Sequence, residues 1–176
     1  MTLKKRNTLT IVLLVVYLLL LTGIIIFKLP FYSPEVSEGL RVINLIPFQG
    51  SFNEEGHFLF SVVIYNVVFF IPLGVYICLL KSEWPFRKKI LPIFGLTFTY
   101  EIVQFILAIG RTDITDILTN ALGGIIGIGL YALLSKIFKD RTAKMVRIFA
   151  VVLTICAVAA FTYLFYLTHF VMGRPR

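Results

Sequence analysis

The chain has 176 residues, of which 59% are apolar and 15% charged, and its formal net charge is +8. A soluble domain has about 45–50% apolar and about 25% charged residues, so this composition indicates a membrane protein. The two cysteines are too few for a secreted disulfide scaffold. A positive charge of this size would also fit nucleic-acid binding, so the positions of the basic residues decide its meaning.

Five apolar runs follow one another along the chain. Each is long enough for a helix that crosses the hydrocarbon core of a bilayer, which takes ~20 residues. The runs are Thr8–Phe27, Phe58–Leu80, Ile90–Ile109, Ile114–Leu134 and Ile148–Met172. The first run is longer than the apolar part of a signal peptide and is interpreted as a retained anchor. The predicted fold is all-α: a polytopic membrane bundle of five transmembrane helices, with residues 1–176 in a single membrane domain.

The basic residues predict the orientation of this bundle. Twelve of the 17 Lys and Arg residues fall in the N-terminal segment and in the loops 81–89 and 135–147. These three segments lie on one side of the membrane if all five runs span it, and the positive-inside rule makes that side cytoplasmic. The N-terminus is then cytoplasmic and the C-terminus extracellular. The excess charge orients the bundle, and no nucleic-acid partner is predicted.

Polar residues within the apolar runs recur at helical spacing. Residues three or four apart share one face of a helix, and ionisable residues inside a membrane are functional by default. The third run and the fourth run each carry such a face, and the second run adds one asparagine. The predicted ligand-binding residues are Asn66, Glu101, Gln104, Arg111, Asp113, Asp116 and Asn120.

Counting from the tip of the third and fourth runs predicts the depth of these residues. At 1.5 Å per residue, Asn66, Gln104 and Asn120 form one layer ~12 Å below the outer boundary. Glu101 is expected one turn deeper, level with Gly123. The charged residues at positions 111, 113 and 116 ring the mouth, so the sequence predicts a polar pocket that opens to the outer leaflet.

Several functions fit such a pocket. It could bind an outer-leaflet amphiphile, or act as a membrane enzyme with Glu101 as general acid or base and Asp116 orienting the head group. A transporter is disfavoured because no inverted repeat is visible. The alternative is a purely structural role, in which the polar residues simply join helices. Asp113 and Asp116 alone supply few ligands for a magnesium ion, so no metal and no cofactor is predicted.

Other residues are predicted to be structural. Pro72 would kink the second helix, and glycines between helices allow backbones to approach closely. The segment around Asn44 is expected to rest on the outer surface. The predicted structural residues are Asn44, Pro47, Phe48, Pro72, Gly74, Gly123, Gly124 and Gly127.

Taken in order, these motifs resemble the VanZ-like family. The matching motifs are Asn44-Leu45-Ile46-Pro47-Phe48, Asn66-Val-Val-Phe-Phe70-Ile-Pro72-Leu73-Gly74, Glu101-Ile-Val-Gln104-Phe105, Gly110-Arg111, Asp113-Ile-Thr-Asp116 and Asn120-Ala-Leu-Gly123-Gly124. The resemblance covers residues 10–135, and residues 146–172 form an additional C-terminal transmembrane helix. It implies a multi-pass protein of the bacterial cell membrane, connected with susceptibility to teicoplanin-type lipoglycopeptides. The implied partners are membrane lipids, a lipid-linked cell-wall precursor or a lipoglycopeptide, and no reaction is attached to the family.

Overall fold

The computed structural model describes residues 3–27, 42–52, 56–108 and 111–167. Five α-helices account for most of them: α1 (Leu3–Phe27), α2 (Phe60–Leu80), α3 (Phe86–Leu107), α4 (Ile114–Phe138) and α5 (Thr142–Tyr166). The remaining elements are the strands β1 (Val42–Asn44) and β2 (Arg111–Asp113) and the 3-10 turns Gln49–Ser51 and Lys139–Arg141. The helical prediction is confirmed, and the two short strands are what it missed.

Membrane-spanning potential is present in four segments of the described chain. The segments Asn7–Ile26, Phe60–Leu80, Phe86–Leu107 and Ile114–Leu164 are long and apolar enough to cross a membrane. The last of them has 51 residues and contains both α4 and α5. A single crossing takes ~20 residues. The count of five spans and the assignment of sides stay predictions.

The helices differ from the apolar runs mainly at their ends. α4 begins at the predicted residue because Asp113 is its N-cap and accepts a hydrogen bond from the Thr115 N–H at 2.8 Å. At its other end α4 continues past the fourth apolar run to Phe138, and α5 begins at Thr142, before the fifth apolar run. Helix formation tolerates Lys and Arg well, so apolar runs mark the membrane-compatible part of a helix and not its full length. The predicted end of the last helix at Met172 lies outside the described residues.

The chain divides into two compact units. Residues 33–139 form one unit, which we call the central unit, and residues 1–32 with 140–176 form the other. In the second unit α1 packs against α5, where Gly23 lies beside the ring of Phe161. In the central unit α2, α3 and α4 pack together, and the contact of α2 with α4 is the most extensive.

Glycines bring α2 and α4 into backbone contact. A Cβ atom at Gly123 would collide with the carbonyl oxygen of Val67, and one at Gly127 would collide with that of Ile71. Gly74 on α2 faces the backbone of α4 in the same way. The residue numbers rise together on the two helices, so α2 and α4 run parallel. Close backbone approach of this kind is the usual basis of helix packing in membranes, where the hydrophobic effect contributes little.

α3 covers α4 from another direction. The side chain of Ile93 occupies the space that a Cβ atom at Gly124 would need. Ile93 is fully buried there. Proline does not interrupt these helices, because α2 is continuous through Pro72 and α3 through Pro92. Each proline lacks the N–H that would donate to the carbonyl four residues earlier, so one helical hydrogen bond is missing at each.

Candidate ligand-binding site

The two strands join segments that are far apart in the sequence. β1 pairs in parallel with β2, with Val42 opposite Arg111 and Asn44 opposite Asp113. The Asn44 amide Nδ2 donates to Asp113 Oδ2 at 2.9 Å, and both side chains are buried. Sequence reasoning missed this pairing. The strand that follows the first apolar run is therefore attached to the start of α4.

Asp113 is the centre of a buried hydrogen-bond network that we call the clasp. It consists of Asn44, Phe48, Glu101, Asp113 and Thr115. The Asp113 N–H donates to Glu101 Oε2 at 2.9 Å, and the Phe48 N–H donates to Thr115 Oγ1 at 2.8 Å. With the cap and the Asn44 bond, these contacts hold α3, β1 and the turn after β1 around the first residues of α4. The clasp is a positioning device for this end of the central unit.

Phe48 takes a left-handed backbone conformation in the clasp, with φ 64°. This conformation is costly for a residue with a large side chain, so it is kept only where tertiary contacts outweigh the strain. The bond from the Phe48 N–H to Thr115 supplies such a contact. The predicted structural residues at positions 44 and 48 both lie in this network, whereas Pro47 between them is exposed.

Glu101 lies within the clasp as a buried acceptor. Its side chain is 3% exposed, and its carboxylate accepts the backbone N–H of Asp113 near the N-terminus of α4. The partial positive charge of a helix N-terminus stabilises a carboxylate at this place. The contact therefore gives Glu101 a structural role. This agrees with the alternative in which the polar residues join helices.

The depth predicted for the residues of α3 is wrong by about two helical turns. Asn120 Nδ2 donates to Thr97 Oγ1 at 3.0 Å, and Thr97 is seven residues before the expected neighbour Gln104. Glu101 lies beside Asp113 and not beside Gly123. The count assumed 1.5 Å per residue up to the tip, but residues 111–113 are extended, at ~3.3 Å per residue. Residues 111–113 therefore run back alongside the end of α3 before α4 begins.

Asn66 and Asp116 join α2 to α4 by a polar contact. Asn66 Nδ2 donates to Asp116 Oδ1 at 2.6 Å, and both residues are half-buried. The bond is charge-assisted when the carboxylate is ionised, which makes it stronger than a neutral hydrogen bond. Among the predicted site residues whose side chains are described, these two keep partial exposure. The other four are buried: Glu101, Gln104, Asp113 and Asn120.

Asn120 lies one turn deeper than Asp116 on α4. Its side chain is 1% exposed, and among the described residues its carbonyl Oδ1 has no hydrogen-bond partner. A buried carbonyl without a donor is uncommon in folded proteins and calls for an explanation. An N–H or O–H group of a bound molecule would satisfy this oxygen.

Two threonines belong to the polar contacts of this site but were not among the predicted residues. Thr97 Oγ1 accepts a hydrogen bond from the Asn120 amide, and Thr115 Oγ1 accepts one from the Phe48 N–H. Thr97 shares the polar face of α3 with Glu101, a signal that helical spacing carries. Thr115 follows the helix cap by two residues, where a hydroxyl is ordinary. Of Arg111 the structure describes the backbone in β2, so the role predicted for its side chain lies outside the described residues.

Metal ligation has no candidate in the described parts of the chain. No group of three or more His, Cys, Asp or Glu residues lies close enough together there to hold an ion. The chemistry available at the site is that of amide and carboxylate hydrogen bonding. Such groups accept N–H and O–H donors, which peptides, sugars and phosphoglycolipids carry in abundance.

Comparison with known proteins places these motifs in a family. The profile of the VanZ/LLP1 family matches residues 14–139. Over 142 residues the chain is 38% identical to Protein VanZ from Enterococcus faecium. The aligned region covers 80% of this chain and 84% of that protein. The chain belongs to the VanZ/LLP1 family. No solved structure matches it significantly.

The VanZ/LLP1 match places the predicted site within the family region. The matched residues end at position 139, where the 3-10 turn after α4 begins, so α5 lies beyond them. The clasp and the Asn66–Asp116 pair both lie within the matched part. The VanZ family is associated with teicoplanin resistance.

Proposed function

We propose that this VanZ/LLP1 protein is a multi-pass protein of the bacterial cell membrane that lowers susceptibility to teicoplanin-type lipoglycopeptides. It does so by binding an amphiphile of the outer leaflet, either a lipid-linked cell-wall precursor or the lipoglycopeptide itself. Both molecules join an apolar tail to a head group rich in amides and hydroxyls. Family membership and the apolar helices support the membrane location.

The Asn66–Asp116 pair carries this proposal. It is a short contact of 2.6 Å between two membrane-compatible helices, and it stays partly accessible. Polar groups that face the inside of a membrane are expensive, so an accessible Asp–Asn pair there is expected to serve a ligand. Asn120, one turn deeper on the same helix, is 1% exposed and is not assigned a contact with the head group. A donor-rich head group would thus meet its acceptors at the level of the pair.

A positive charge near the outer opening of the predicted pocket would strengthen binding at the same site. Arg111 lies two residues before Asp113 of the clasp in the sequence, and a guanidinium group recognises phosphate or carboxylate by paired hydrogen bonds. A lipid-linked precursor carries phosphate. The proposed site therefore combines a cation for the anionic group with carbonyl and carboxylate acceptors for amides and hydroxyls.

Binding is favoured over catalysis by the position of Glu101. An acid or base must reach the reacting atom, whereas the Glu101 carboxylate is 2.9 Å from the Asp113 backbone nitrogen inside the clasp. The Glu101 side chain is also 3% exposed, so a substrate would reach it only after the clasp rearranged. The proposal therefore gives Glu101 the task of shaping the site.

Substitution of the pair tests the proposal in a lipoglycopeptide-susceptible bacterium that expresses the protein. We expect Asn66→Ala and Asp116→Ala to return teicoplanin susceptibility to that of the host without the protein, at unchanged amounts in the membrane. Thr99→Ala is the matched control, because Thr99 is exposed on α3 and its hydroxyl bonds only within its own helix, to the Gly95 carbonyl at 2.7 Å. Normal protection by the Asn66 and Asp116 variants would refute the site, and absence of protection by the unaltered chain would refute the function.

Native mass spectrometry of the purified protein separates the two ligands. A retained adduct with the mass of a lipid-linked precursor, weakened in Asn66→Ala, supports the precursor. An adduct formed only after teicoplanin is added supports the antibiotic. If neither forms with the unaltered protein, the binding mechanism is wrong.

A further inference from the structure

The segment between β1 and α2 presents large apolar side chains outward. Leu45 is 73% exposed, Ile46 61% and Phe60 68%, and Phe52 is half exposed as well. The described part of this segment covers residues 43–52 and 56–60. So many large exposed apolar side chains within a short stretch are uncommon on water-facing loops and mark a contact with a partner or a membrane. We call residues 43–52 together with residues 56–60 the interfacial segment.

Several backbone N–H groups of the interfacial segment are bonded within the protein. The Ile46 N–H donates to Asn44 Oδ1 at 3.1 Å, the Phe48 N–H to Thr115 Oγ1 at 2.8 Å, and the Ser51 N–H to the Phe48 carbonyl at 3.0 Å. The residue between Ile46 and Phe48 is a proline, which has no N–H. A loop in water can leave such donors to the solvent, whereas a loop that enters a less polar medium cannot. These bonds lower the cost of placing this part of the segment in lipid.

Aromatic contacts order the phenylalanine side chains of the segment. The ring of Phe58 lies 4.6 Å from that of Phe60, 5.2 Å from that of Phe52 and 6.2 Å from that of Phe48, measured between centroids. Phe52 and Phe58 also form an antiparallel bridge. Side chains that are already ordered lose little entropy when lipid covers them.

The segment is continuous with the surface that α2 offers to lipid. α2 starts at Phe60, and Ile64 and Val68 further along it are 53% and 48% exposed. The clasp attaches the other end of the segment to the start of α4. The segment therefore lies beside the ends at which α2 and α4 begin.

We propose that the interfacial segment inserts into the boundary between head groups and acyl chains of the leaflet in which α2 and α4 begin. The partner is the lipid surface, and the contacts are made by Leu45, Ile46, Phe52 and Phe60. The insertion stands on exposure and backbone bonding alone, so it holds whichever amphiphile the Asn66–Asp116 pair binds.

Tryptophan fluorescence tests the insertion, because Trp84 is the single tryptophan of the chain. The full chain with Trp84→Phe receives Ile46→Trp or, in a second protein, Leu45→Trp, and is reconstituted in phosphatidylcholine vesicles. Glu83→Trp in the same background is the control, since Glu83 is exposed in the charged loop between α2 and α3. Lipids brominated near the head group in both leaflets, and iodide on both sides, make the readout independent of orientation.

We expect the tryptophans at positions 45 and 46 to be quenched strongly by the brominated lipid and several-fold less by iodide than the tryptophan at position 83. Circular dichroism on each variant verifies that it retains the parent's helix content. Either folded variant decides the matter, so one that fails to fold leaves the other. If the tryptophan at position 45 or 46 is quenched by iodide as strongly as that at position 83, and not by brominated lipid, the insertion is refuted.

Discussion

Gly127→Ala tests whether backbone contact between α2 and α4 holds the central unit together. A Cβ atom at this position would collide with the carbonyl oxygen of Ile71, and such a carbon–oxygen contact needs roughly 3.3 Å. The two helices must therefore separate. Overpacking of this kind costs about 1–3 kcal/mol, while alanine's better helix propensity returns about 1 kcal/mol. Because the colliding atom belongs to the backbone and cannot rotate away, the overpacking cost lies in the upper part of that range, at about 2–3 kcal/mol, and we expect a net loss of about 1–2 kcal/mol.

The thiol of Cys78 reports this loss. Cys78 is buried on α2, one turn after Gly74 and on the same helix face, so a thiol reagent reaches it when α2 leaves its partners. With the exposed Cys156 replaced by serine, a loss of 1–2 kcal/mol raises the labelling rate about 5- to 30-fold. Gly129→Ala is the matched control, because open space surrounds that position. Equal labelling rates in the Gly127 and Gly129 variants would refute the reasoning.

The clasp supplies two further predictions. Glu101→Gln keeps an oxygen that accepts the Asp113 N–H, so we expect protection against teicoplanin to persist, whereas Glu101→Leu leaves that donor buried and unpaired at a cost of about 1–3 kcal/mol. Loss of protection in the glutamine variant at normal abundance would show that a proton-transferring carboxyl is needed. Asp113→Asn retains a capping side chain, whereas Asp113→Ala loses both the cap and the Asn44 bond, which costs about 1–2 kcal/mol for the cap alone. Cys78 labelling ranks the two Asp113 variants, and equal rates would contradict the clasp.

Local patterns in the sequence predicted the helices well, because each apolar run is long enough to demand a membrane and polar residues at three- and four-residue spacing mark one helix face. The glycines of α4 were predicted as a packing surface, and the structure gives the atoms that Gly123 and Gly127 face, the carbonyl oxygens of α2. These features depend on near neighbours in the chain. They need no knowledge of how the helices are joined.

The partners of the polar residues could not be predicted in the same way. Asn44 and Asp113 are 69 residues apart, and strands of three residues carry no periodic signal. The relative depth of α3 and α4 depended on whether the link before α4 is helical or extended, and the extended form moved the partner of Asn120 from Gln104 to Thr97. Glu101 gave no hint of its role because its partner is a backbone N–H.

The sequence by itself determined that this is a helical protein suited to a membrane, and which faces of its helices are polar. Hydrophobic burial and helical periodicity act over a few turns, so composition and spacing are sufficient for both conclusions. The tertiary structure decided that Asn66 meets Asp116 and that Glu101 meets the start of α4. Those pairings follow from one extended link and from glycines that let two backbones touch, and both are properties of the assembled chain.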